Sequence, residues 1–528
     1  MAGKEGTPPS DNQDQGWVRA HVDAFTYGRS ASGNSPYGPI EEKPVTDALP
    51  PCLSDIHVDF PPGSFTLLCG ASGSGKSTIL RLFNGLVPHF HTGILDGSVH
   101  VSGVNVPETD LSQAGRTTST VFQNPRTQFF TSDVLSELAF RGENYGIHPE
   151  EILRRASEAL HQLGIEHLWS RPLAALSGGE LQKVACAQAI VAQTPVLLLD
   201  EPTSNLSPAA IAEFADILRQ LKNDGITIII AEHRIHFLRD LIDQAILIDR
   251  GRIITRYTAE EFCSLDEETR EKVGLRTLVT PPSPENDPTW VPAPHPAAPL
   301  ARGLHLSQMR FSYGGTPVLN IDQLHFSSGE VTAIIGDNGV GKSTLCRIVV
   351  GLEKADKGSS IELHGQITSP RQRLSESAMV MQDVHRQLFS ATVRQEILLG
   401  LSQDHKNTVN VEALLERFDL ADFEQRHPLS LSGGQKQRLT VAAAAARGAA
   451  IHVFDEPTSG VDHRQLVEIG RQLRELAEAG SIVLVVTHDP ELVAVCADRV
   501  VQIHRLNQSD PTHPQVTTLV RREEKGHV

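Results

Sequence analysis

The sequence predicts an α/β protein in which one domain, with a mostly parallel sheet at its core, occurs twice in tandem. Three observations predict this fold. A glycine-rich segment, GASGSGKST or GDNGVGKST, follows a short apolar run in each half, and an apolar run ending in Asp-Glu-Pro comes later in each half. The spacing of the later motifs is constant, since Asp200 and Asp455 are 255 residues apart and so are His233 and His488. Such a repeat indicates that a whole domain was duplicated.

The 528 residues accommodate two domains of roughly 250 residues, each with a core of its own. Eight of the nineteen residues from Pro281 to Pro299 are proline, which predicts an extended tether without helix or sheet, able to span roughly 60 Å. The predicted division is a solvated tail over residues 1–16, a first domain over 17–278 with a surface insertion at 28–51, a linker over 279–302, a second domain over 303–510 and a polar tail over 511–528.

Composition and charge narrow the function classes. The 64 acidic and 47 basic residues give a net charge of −17, which argues against a protein that neutralises a nucleic-acid backbone. The six cysteines include no Cys-x-x-Cys pair, so their spacing predicts neither a zinc site nor a disulfide framework and fits a reducing cytoplasm. No window approaches 18 apolar residues and the first residues are polar, which predicts a chain without a membrane span or signal peptide.

Each glycine-rich segment lies between a predicted strand, SFTLLC or EVTAII, and a predicted helix, TILRLF or TLCRIVV. Strand, glycine loop and helix N-terminus form a phosphate-binding context, because the loop's N–H groups and the helix dipole both attract anions. The lysines are expected to reach the β- and γ-phosphates of ATP, and the serines after them to offer a hydroxyl to Mg²⁺. The predicted ATP-binding residues are Gly70, Ala71, Ser72, Gly73, Ser74, Gly75, Lys76, Ser77 and Thr78, and Gly336, Asp337, Asn338, Gly339, Val340, Gly341, Lys342, Ser343 and Thr344.

The apolar runs PVLLLDEP and IHVFDEP predict central parallel strands whose charged ends lie at the ligand edge of the sheet. The first acid, Asp200 or Asp455, suits a role in holding Mg²⁺. The second acid suits polarisation of the water that attacks the γ-phosphate. A histidine 33 residues after each aspartate follows another β-run and is predicted to contact the γ-phosphate. The predicted catalytic residues are Glu201, Glu456, His233 and His488.

The segments LSGGE (residues 176–180) and LSGGQ (residues 431–435), each 23 residues before its aspartate, resemble the signature of ATP-binding-cassette (ABC) ATPases. The resemblance covers almost all of the chain outside the tail and linker. It implies two P-loop ABC domains, each with an α-helical signature subdomain beside the sheet. It also implies an intramolecular pseudo-dimer with two composite ATP sites, in which the signature of one domain caps ATP held by the P-loop of the other.

The resemblance also implies roles for further residues. Glutamines in the segment after each P-loop correspond to the family's Q-loop, which links nucleotide and metal to the transport partner. A tyrosine at the end of an early strand resembles the residue that stacks on adenine. The residues so implied are Gln123, Gln382, Tyr27 and Tyr313, with Ser177, Gly178, Gly179, Ser432, Gly433 and Gly434 in the signatures. The implied metal-binding set is Ser77, Ser343, Gln123, Gln382, Asp200 and Asp455.

One loop departs from the family pattern in the first copy. The family's S-x-L-D segment survives as SGVD ending at Asp462, whereas the first copy reads SNLS and ends at Ser207. Because the resemblance implies that this loop crosses to the facing domain, we hypothesise that the two sites hydrolyse ATP at unequal rates.

The segments around the two Q-loop glutamines, together with AEHRIH, resemble the ATPases of energy-coupling-factor (ECF) transporters, which take up vitamins or metal ions. This resemblance implies a motor that is peripheral on the cytoplasmic face of the cell membrane and works with a transmembrane coupling subunit and a substrate-binding membrane subunit. The solute, among vitamin, vitamin precursor and metal ion, stays open.

The alternatives are other ABC importers or exporters, a soluble tandem ABC protein acting on ribosomes, and a DNA-repair or chromosome ATPase. The proline-rich linker disfavours the ribosomal class, whose relatives have a long charged helical linker. The lack of paired cysteines and heptad repeats disfavours the DNA-repair class.

Overall fold

The structure, a computed structural model, describes residues 14–28, 51–123, 125–204, 206–279, 281–293, 302–381, 384–431, 433–506 and 515–522. The chain divides into two compact units at residues 279 and 280. The predicted insertion therefore lies almost wholly outside the described residues, as do Gln382, Ser432 and most of the two predicted tails.

The first domain begins with an antiparallel strand pair and then alternates strands and helices. Its strands are β1 Val18–Tyr27, β2 Leu53–Phe60, β3 Phe65–Cys69, β4 Gly93–Val101, β5 Val104–Asn105, β6 Thr118–Val121, β7 Val196–Asp200, β8 Thr227–Ala231, β9 Gln244–Asp249 and β10 Arg252–Thr258. Its helices are α1 Lys76–Phe83, α2 Leu86–His89, α3 Leu111–Ala114, α4 Val134–Asn144, α5 Pro149–Gln162, α6 Gly178–Ala192, α7 Pro208–Asn223, α8 Ala259–Cys263 and α9 Glu267–Lys272.

The second domain repeats this order. Its strands are β11 Trp290–Pro292, β12 Gly303–Tyr313, β13 Thr316–Ser327, β14 Val331–Ile335, β15 Ser360–Leu363, β16 Gln366–Ile367, β17 Ser377–Val380, β18 Ile451–Asp455, β19 Ile482–Val486, β20 Arg499–Ile503 and β21 Val516–Arg521. Its helices are α10 Lys342–Val350, α11 Pro370–Ser375, α12 Val393–Ile397, α13 Gln403–Thr408, α14 Val411–Arg417, α15 Gly433–Ala446, α16 His463–Glu478 and α17 Pro490–Cys496.

Each domain contains a main sheet and a small antiparallel sheet. The five parallel strands of the main sheets have equivalent orders, β9-β3-β8-β7-β6 and β20-β14-β19-β18-β17. The small sheets, β2-β1-β4-β5 and β13-β12-β15-β16, are antiparallel. The predicted α/β class with two tandem, mostly parallel sheet domains is confirmed.

Both faces of each main sheet are covered, which explains why its strands read as continuous apolar runs. In β3, Leu67 packs into the cluster formed with α6 and α7, whereas Leu68 packs into the cluster that includes Phe60 and Phe83 of the opposite layer. The second domain divides its core in the same way, with Val485 on one face of β19 and the next residue on the other. The carboxyl ends of the parallel strands meet at one edge, where the site is built.

Two predicted boundaries of the second domain are wrong. Within the proline-rich linker, β11 pairs antiparallel with β21, and the Trp290 ring is buried. Within the predicted polar tail, β21 pairs antiparallel with β20 and extends the main sheet. Both segments form strands because an edge partner takes up their backbone groups, and proline is tolerated at such an edge.

The start of the first domain also differs from the prediction. Gly16, predicted to lie in the solvated tail, is buried and its carbonyl oxygen accepts a hydrogen bond from the Thr227 hydroxyl at 2.7 Å.

Among the described residues, no helix combines the length and the apolar character that a membrane crossing requires.

Candidate active site

The two glycine loops leave their strands at places where only glycine fits. Gly70 has φ +137°, and a Cβ there would lie 2.0 Å from the carbonyl oxygen of Ile248. Gly336 has φ +141°, and its Cβ would lie 2.3 Å from the carbonyl oxygen of Ile503. Both distances are far below van der Waals contact. The loop therefore turns against the neighbouring parallel strand, at the edge where the strand carboxyl ends meet.

The P-loop lysines hold their loops closed from within. The Lys76 ammonium donates to the carbonyl oxygens of Gly70 and Ala71, both at 2.9 Å. The Lys342 ammonium makes the same two contacts in its own loop at 2.7 and 2.8 Å. Burial lowers the pKa of Lys342, and the nearby carboxylates Glu456 and Asp455 oppose that shift.

These loops fit a nucleotide phosphate. The helices α1 and α10 begin at the lysines, so the N–H groups of their first turns have no partner within the helix. Neither N-cap glycine contributes a side-chain cap. The Ser74 hydroxyl is buried in the first loop without a hydrogen-bond partner. Unpaired donors at a helix N-terminus beside a lysine are the groups that bind a phosphate anion.

In each domain a serine and an aspartate of the predicted metal-binding set come together. The Ser77 hydroxyl donates to Asp200 at 2.8 Å, and the Ser343 hydroxyl donates to Asp455 at 3.1 Å. Hydroxyl and carboxylate oxygens are the ligands that Mg²⁺ prefers, so this donor set fits that ion. Burial, followed by the charge of Glu201, raises the pKa of Asp200 to about 6. Burial also raises the pKa of Asp455.

The two glutamates after the aspartates share an unusual backbone. Glu201 has φ +48° and Glu456 has φ +51°, a left-handed conformation that is uncommon for a residue with a side chain. In each domain the glutamate N–H donates to the end of the neighbouring strand, to Ala231 at 2.8 Å and to Val486 at 2.9 Å. Strain of this kind concentrates at functional sites, where it aims a side chain.

The Glu201 carboxylate lies between the Q-loop and the histidine. It accepts a hydrogen bond from the Gln123 amide at 2.8 Å and lies 3.4 Å from Nε2 of His233. Burial raises the pKa of Glu201 to about 7, and the charge of Lys76 opposes that shift. A carboxylate with a pKa near neutrality can accept a proton from an attacking water.

Each histidine contacts the third residue of its own P-loop. His233 Nε2 lies 3.4 Å from the Ser72 hydroxyl, and His488 Nε2 lies 3.0 Å from Oδ1 of Asn338. His488 Nε2 also lies 3.2 Å from the Lys342 ammonium and 3.8 Å from a Glu456 oxygen. The structure thus brings lysine, glutamate and histidine together in both domains.

A buried acid beside each histidine was not among the predicted residues. In the first domain Glu232 precedes His233 and accepts from the Thr203 hydroxyl at 2.7 Å. In the second domain Asp489 follows the histidine and accepts from the Thr458 hydroxyl at 2.7 Å. The sequence contains a signal for these acids. The acid precedes the histidine in EHR of the first domain and follows it in THD of the second.

The position of Asp489 is occupied by Arg234 in the first domain. Its guanidinium is buried and donates to the carbonyl oxygens of Thr203 and Leu206 at 3.5 and 3.3 Å. The loop that carries Ser207 is therefore held by both Glu232 and Arg234 in the first domain, while Asp489 holds its counterpart in the second. Ser207 itself caps α7 by accepting from the N–H of Ala210, as Asp462 caps α16.

The signature helix of the first domain begins with a reciprocal cap. The Ser177 hydroxyl accepts from the N–H of Glu180 at 3.3 Å, and the Glu180 carboxylate accepts from the N–H of Ser177 at 2.7 Å. Gly178 and Gly179 open the helix. In the second domain α15 begins at Gly433.

The two tyrosines predicted to stack on adenine end equivalent strands, β1 and β12. Each packs edge-on against the phenylalanine two residues earlier, with ring centroids 4.8 Å apart for Tyr27 and 4.7 Å apart for Tyr313. The Tyr27 hydroxyl lies 3.1 Å from the Thr78 hydroxyl, next to the P-loop helix. Tyr313 is 46% exposed.

The segment after each Q-loop is built in the same way. Gln128 accepts from the N–H of Phe122 at 3.1 Å, which fixes the chain just before Gln123. Seven residues after each Q-loop glutamine, a phenylalanine N–H donates to a buried glutamate: Phe130 to Glu137 at 3.0 Å and Phe389 to Glu396 at 2.9 Å. The two rings themselves are 78% and 76% exposed.

Comparison with known proteins agrees with this geometry. The family model described as ABC transporter matches residues 53–204 and 319–459, more than half of the chain. An ABC transporter ATP-binding protein of Treponema denticola is 40% identical over 451 residues, covering 85% of this chain and 91% of the relative. A Bacillus subtilis (strain 168) relative, provisionally named HMP/thiamine import ATP-binding protein YkoD, is 32% identical over 493 residues and covers 88% and 87%.

Among solved structures, the archaeal ribosome recycling factor aABCE1, in complex with the ribosomal stalk protein aP1, shares 21% identity with a TM-score of 0.55. The match covers 89% of this chain and 88% of that one. At this identity the likeness concerns the fold alone. With two matched ABC domains and relatives above 30% identity over most of its length, the chain belongs to the ABC transporter ATP-binding family and is an ABC ATPase that hydrolyses ATP for transport.

Proposed function

We propose that this protein is the motor of an ECF-type importer, in which its two domains close on two ATP molecules and drive solute uptake through separate membrane subunits. The proposed solute is a vitamin, vitamin precursor or metal ion. The name of the Bacillus subtilis relative points toward HMP or thiamine. The motor is proposed to sit on the cytoplasmic face of the membrane.

In the proposed cycle ATP binds as its Mg²⁺ complex. The ion would be held by the Ser77 hydroxyl and Asp200 in the first domain and by the equivalent pair in the second, and it would neutralise phosphate charge. Glu201 orients water toward the γ-phosphate and accepts its proton, while His233 contacts the same phosphate. The signature of the facing domain supplies helix N–H groups to the phosphate. ATP binding closes the domains and hydrolysis reopens them.

The observation that carries the transport proposal is the pair of exposed phenylalanines. Phe130 stacks on Phe140 with ring centroids 5.2 Å apart, beside a groove of about 500 Å³ that also contains Phe122 and Tyr145. Glu137 and Glu396 accept from the backbone N–H groups of Phe130 and Phe389, so the backbone from which the two rings project is fixed. Aromatic rings are enriched at protein–protein contact sites. Their position next to each Q-loop suits a contact that senses nucleotide.

The test is affinity purification of the tagged full chain from detergent-solubilised membranes, with partners identified by mass spectrometry. We expect stoichiometric recovery of a polytopic membrane protein and a small hydrophobic substrate-binding subunit. Recovery of ribosomes or DNA in their place would overturn the importer proposal in favour of the soluble classes.

Two variants sharpen this test. Phe130→Ala with Phe389→Ala should lose the membrane partners and keep the basal ATPase rate. The matched control replaces Ile94 and Ile367 with alanine, since these side chains are 78% and 75% exposed but lie on the small antiparallel sheets. Partner recovery that is equal in both double variants would show that the phenylalanines are not the docking contacts.

A further inference from the structure

The outer face of the small antiparallel sheet in the first domain carries a cluster of His21, Asp23 and His57. One ligand atom from each lies within 4.8 Å of the other two, and no other such group occurs among the residues that the structure describes. We propose that this cluster is a binding site for a divalent transition-metal ion, with zinc as the ion to test first.

The strand register produces the cluster. His21 of β1 and His57 of β2 are direct cross-strand partners, and their ring centroids are 3.9 Å apart. The pairing of β1 shifts between Val22 and Ala24, so Asp23 lies at an irregularity of the strand. A bulge of this kind re-aims a side chain. Here the Asp23 carboxylate lies 3.8 Å from Nε2 of His21.

His57 has the surroundings of a metal-ligating histidine. Its Nε2 lies 2.8 Å from the Asp55 carboxylate, while its Nδ1 is buried without a hydrogen-bond partner. Histidine ligands in proteins characteristically bind the ion through one ring nitrogen and contact a carboxylate through the other, which fixes the tautomer and raises ligand basicity. The His21 side chain is 66% exposed, so its ring can rotate to admit the ion.

The charges around the cluster favour a cation. Asp23 and Asp55 are both exposed carboxylates on or beside it. Two guanidinium groups are engaged beside it: Arg19 is paired with Asp59 at 3.4 Å and with Asp14 at 3.5 Å, and Arg256 donates to the backbone carbonyl oxygen of His57. Two imidazoles and a carboxylate select zinc, nickel or copper over magnesium, which prefers oxygen ligands. This site is therefore distinct in chemistry from the Mg²⁺ site proposed beside the P-loop.

The second domain provides a matched control within the same chain. His305 and His325 are likewise direct cross-strand partners, on β12 and β13. Their ring centroids are 6.1 Å apart, and no third ligand completes a metal-binding group among the described residues there. Replacing this pair removes two cross-strand histidines from the equivalent pair of strands without touching the proposed site.

The experiment is zinc titration of the metal-free full chain, without nucleotide, by isothermal titration calorimetry. It uses wild type, His21→Ala with His57→Ala, and His305→Ala with His325→Ala. We expect one equivalent of zinc to bind wild type and the His305/His325 variant with equal affinity. Loss of His21 and His57 should raise the Kd of that equivalent by more than about tenfold, since even an outer partner of a metal ligand is worth that much.

A second measurement covers the case in which the His21/His57 variant is poorly folded. Asp23→Asn keeps both histidines and the strand pairing, and it should also weaken binding. Copper(II) bound to wild type should show imidazole nitrogen couplings in its electron paramagnetic resonance spectrum, and these should be lost in the His21/His57 variant. The proposal is overturned if wild type binds no equivalent of zinc, or if the His21/His57 variant and Asp23→Asn bind it as tightly as wild type does.

Discussion

The two domains share one sheet order and one arrangement of lysine, aspartate, glutamate and histidine, yet they secure the loop behind the glutamate differently. The first domain uses Glu232 before its histidine and Arg234 after it, whereas the second uses Asp489 after its histidine. The groups predicted to contact nucleotide are thus repeated, while the charged residues that hold the neighbouring loop differ between the domains. Duplicated sites can diverge in their supports and keep the same reactive atoms.

The largest effect is expected from the glutamates themselves. Replacing both Glu201 and Glu456 with glutamine should lower the steady-state ATPase rate about 100-fold or more, because we propose that each accepts the proton of the attacking water. In the proposed pairing, Ser207 faces the site of Lys342, so that site is the slower one. Glu201→Gln alone should therefore lose more activity than Glu456→Gln alone. Equal residual rates in the two single variants would remove the proposed inequality.

A large loss of stability is expected when Glu232, the buried acid that holds the loop in the first domain, is replaced. Glu232→Ala leaves the buried Thr203 hydroxyl and the His233 and Arg234 N–H groups without their acceptor. It should destabilise the first domain by about 3 kcal/mol, as measured by calorimetry of the full chain. Converting EHR to THD, with Glu232→Thr and Arg234→Asp, should recover most of the loss. Failure of that graft would show that the two supports are not equivalent.

A tenfold effect is expected from pH. Burial raises the pKa of Glu201 to about 7, so below that pH the carboxyl is protonated and cannot accept a proton from water. In a Glu456→Gln background, which reports the first site, the ATPase rate should rise about tenfold from pH 6 to pH 8. ATP binding measured at the same pH values is the control. A flat profile would argue that Glu201 does not titrate in this range when ATP is bound.

The smallest effect on stability is expected at Ser207, where the first domain differs from the family's S-x-L-D segment. Ser207→Asp should change the free energy of unfolding by less than about 0.5 kcal/mol, because serine and aspartate are equally good N-caps. The variant should nevertheless raise the ATPase rate measured in a Glu201→Gln background, which reports the second site. The reverse variant, Asp462→Ser, should lower the rate of the first site. A rate unchanged by Ser207→Asp would assign the inequality to another residue.

The sequence could predict the parts of the fold that depend on local pattern. Continuous apolar runs identified the central strands, and acids at their ends identified Asp200 and Glu201, because parallel strands present their carboxyl ends at one edge. The pairing of β11 with β21 could not be found in this way. It joins Trp290 to Arg521, far apart in the chain, and the proline content of the linker concealed three residues of strand.

The charged residues that hold the loop beside the site could not be predicted for a similar reason. Glu232 and Arg234 read as ordinary charged residues beside a histidine, and their role is visible only in their contacts with Thr203 and Leu206. Comparison of EHR with THD would have shown that the acid lies on different sides of the two histidines. Only the contact distances show that these residues hold the neighbouring loop.

The two ways of completing the main sheet have a consequence for synthesis on the ribosome. In the first domain β10 follows β9 after two residues, so the edge hairpin can form as soon as it emerges. In the second domain β20 waits for β21, and β11, made long before, waits for the same strand. The first domain can therefore mature while translation continues. The second keeps the β20 edge unpaired until residue 521 has left the exit tunnel, and an unpaired strand edge is prone to aggregate during folding.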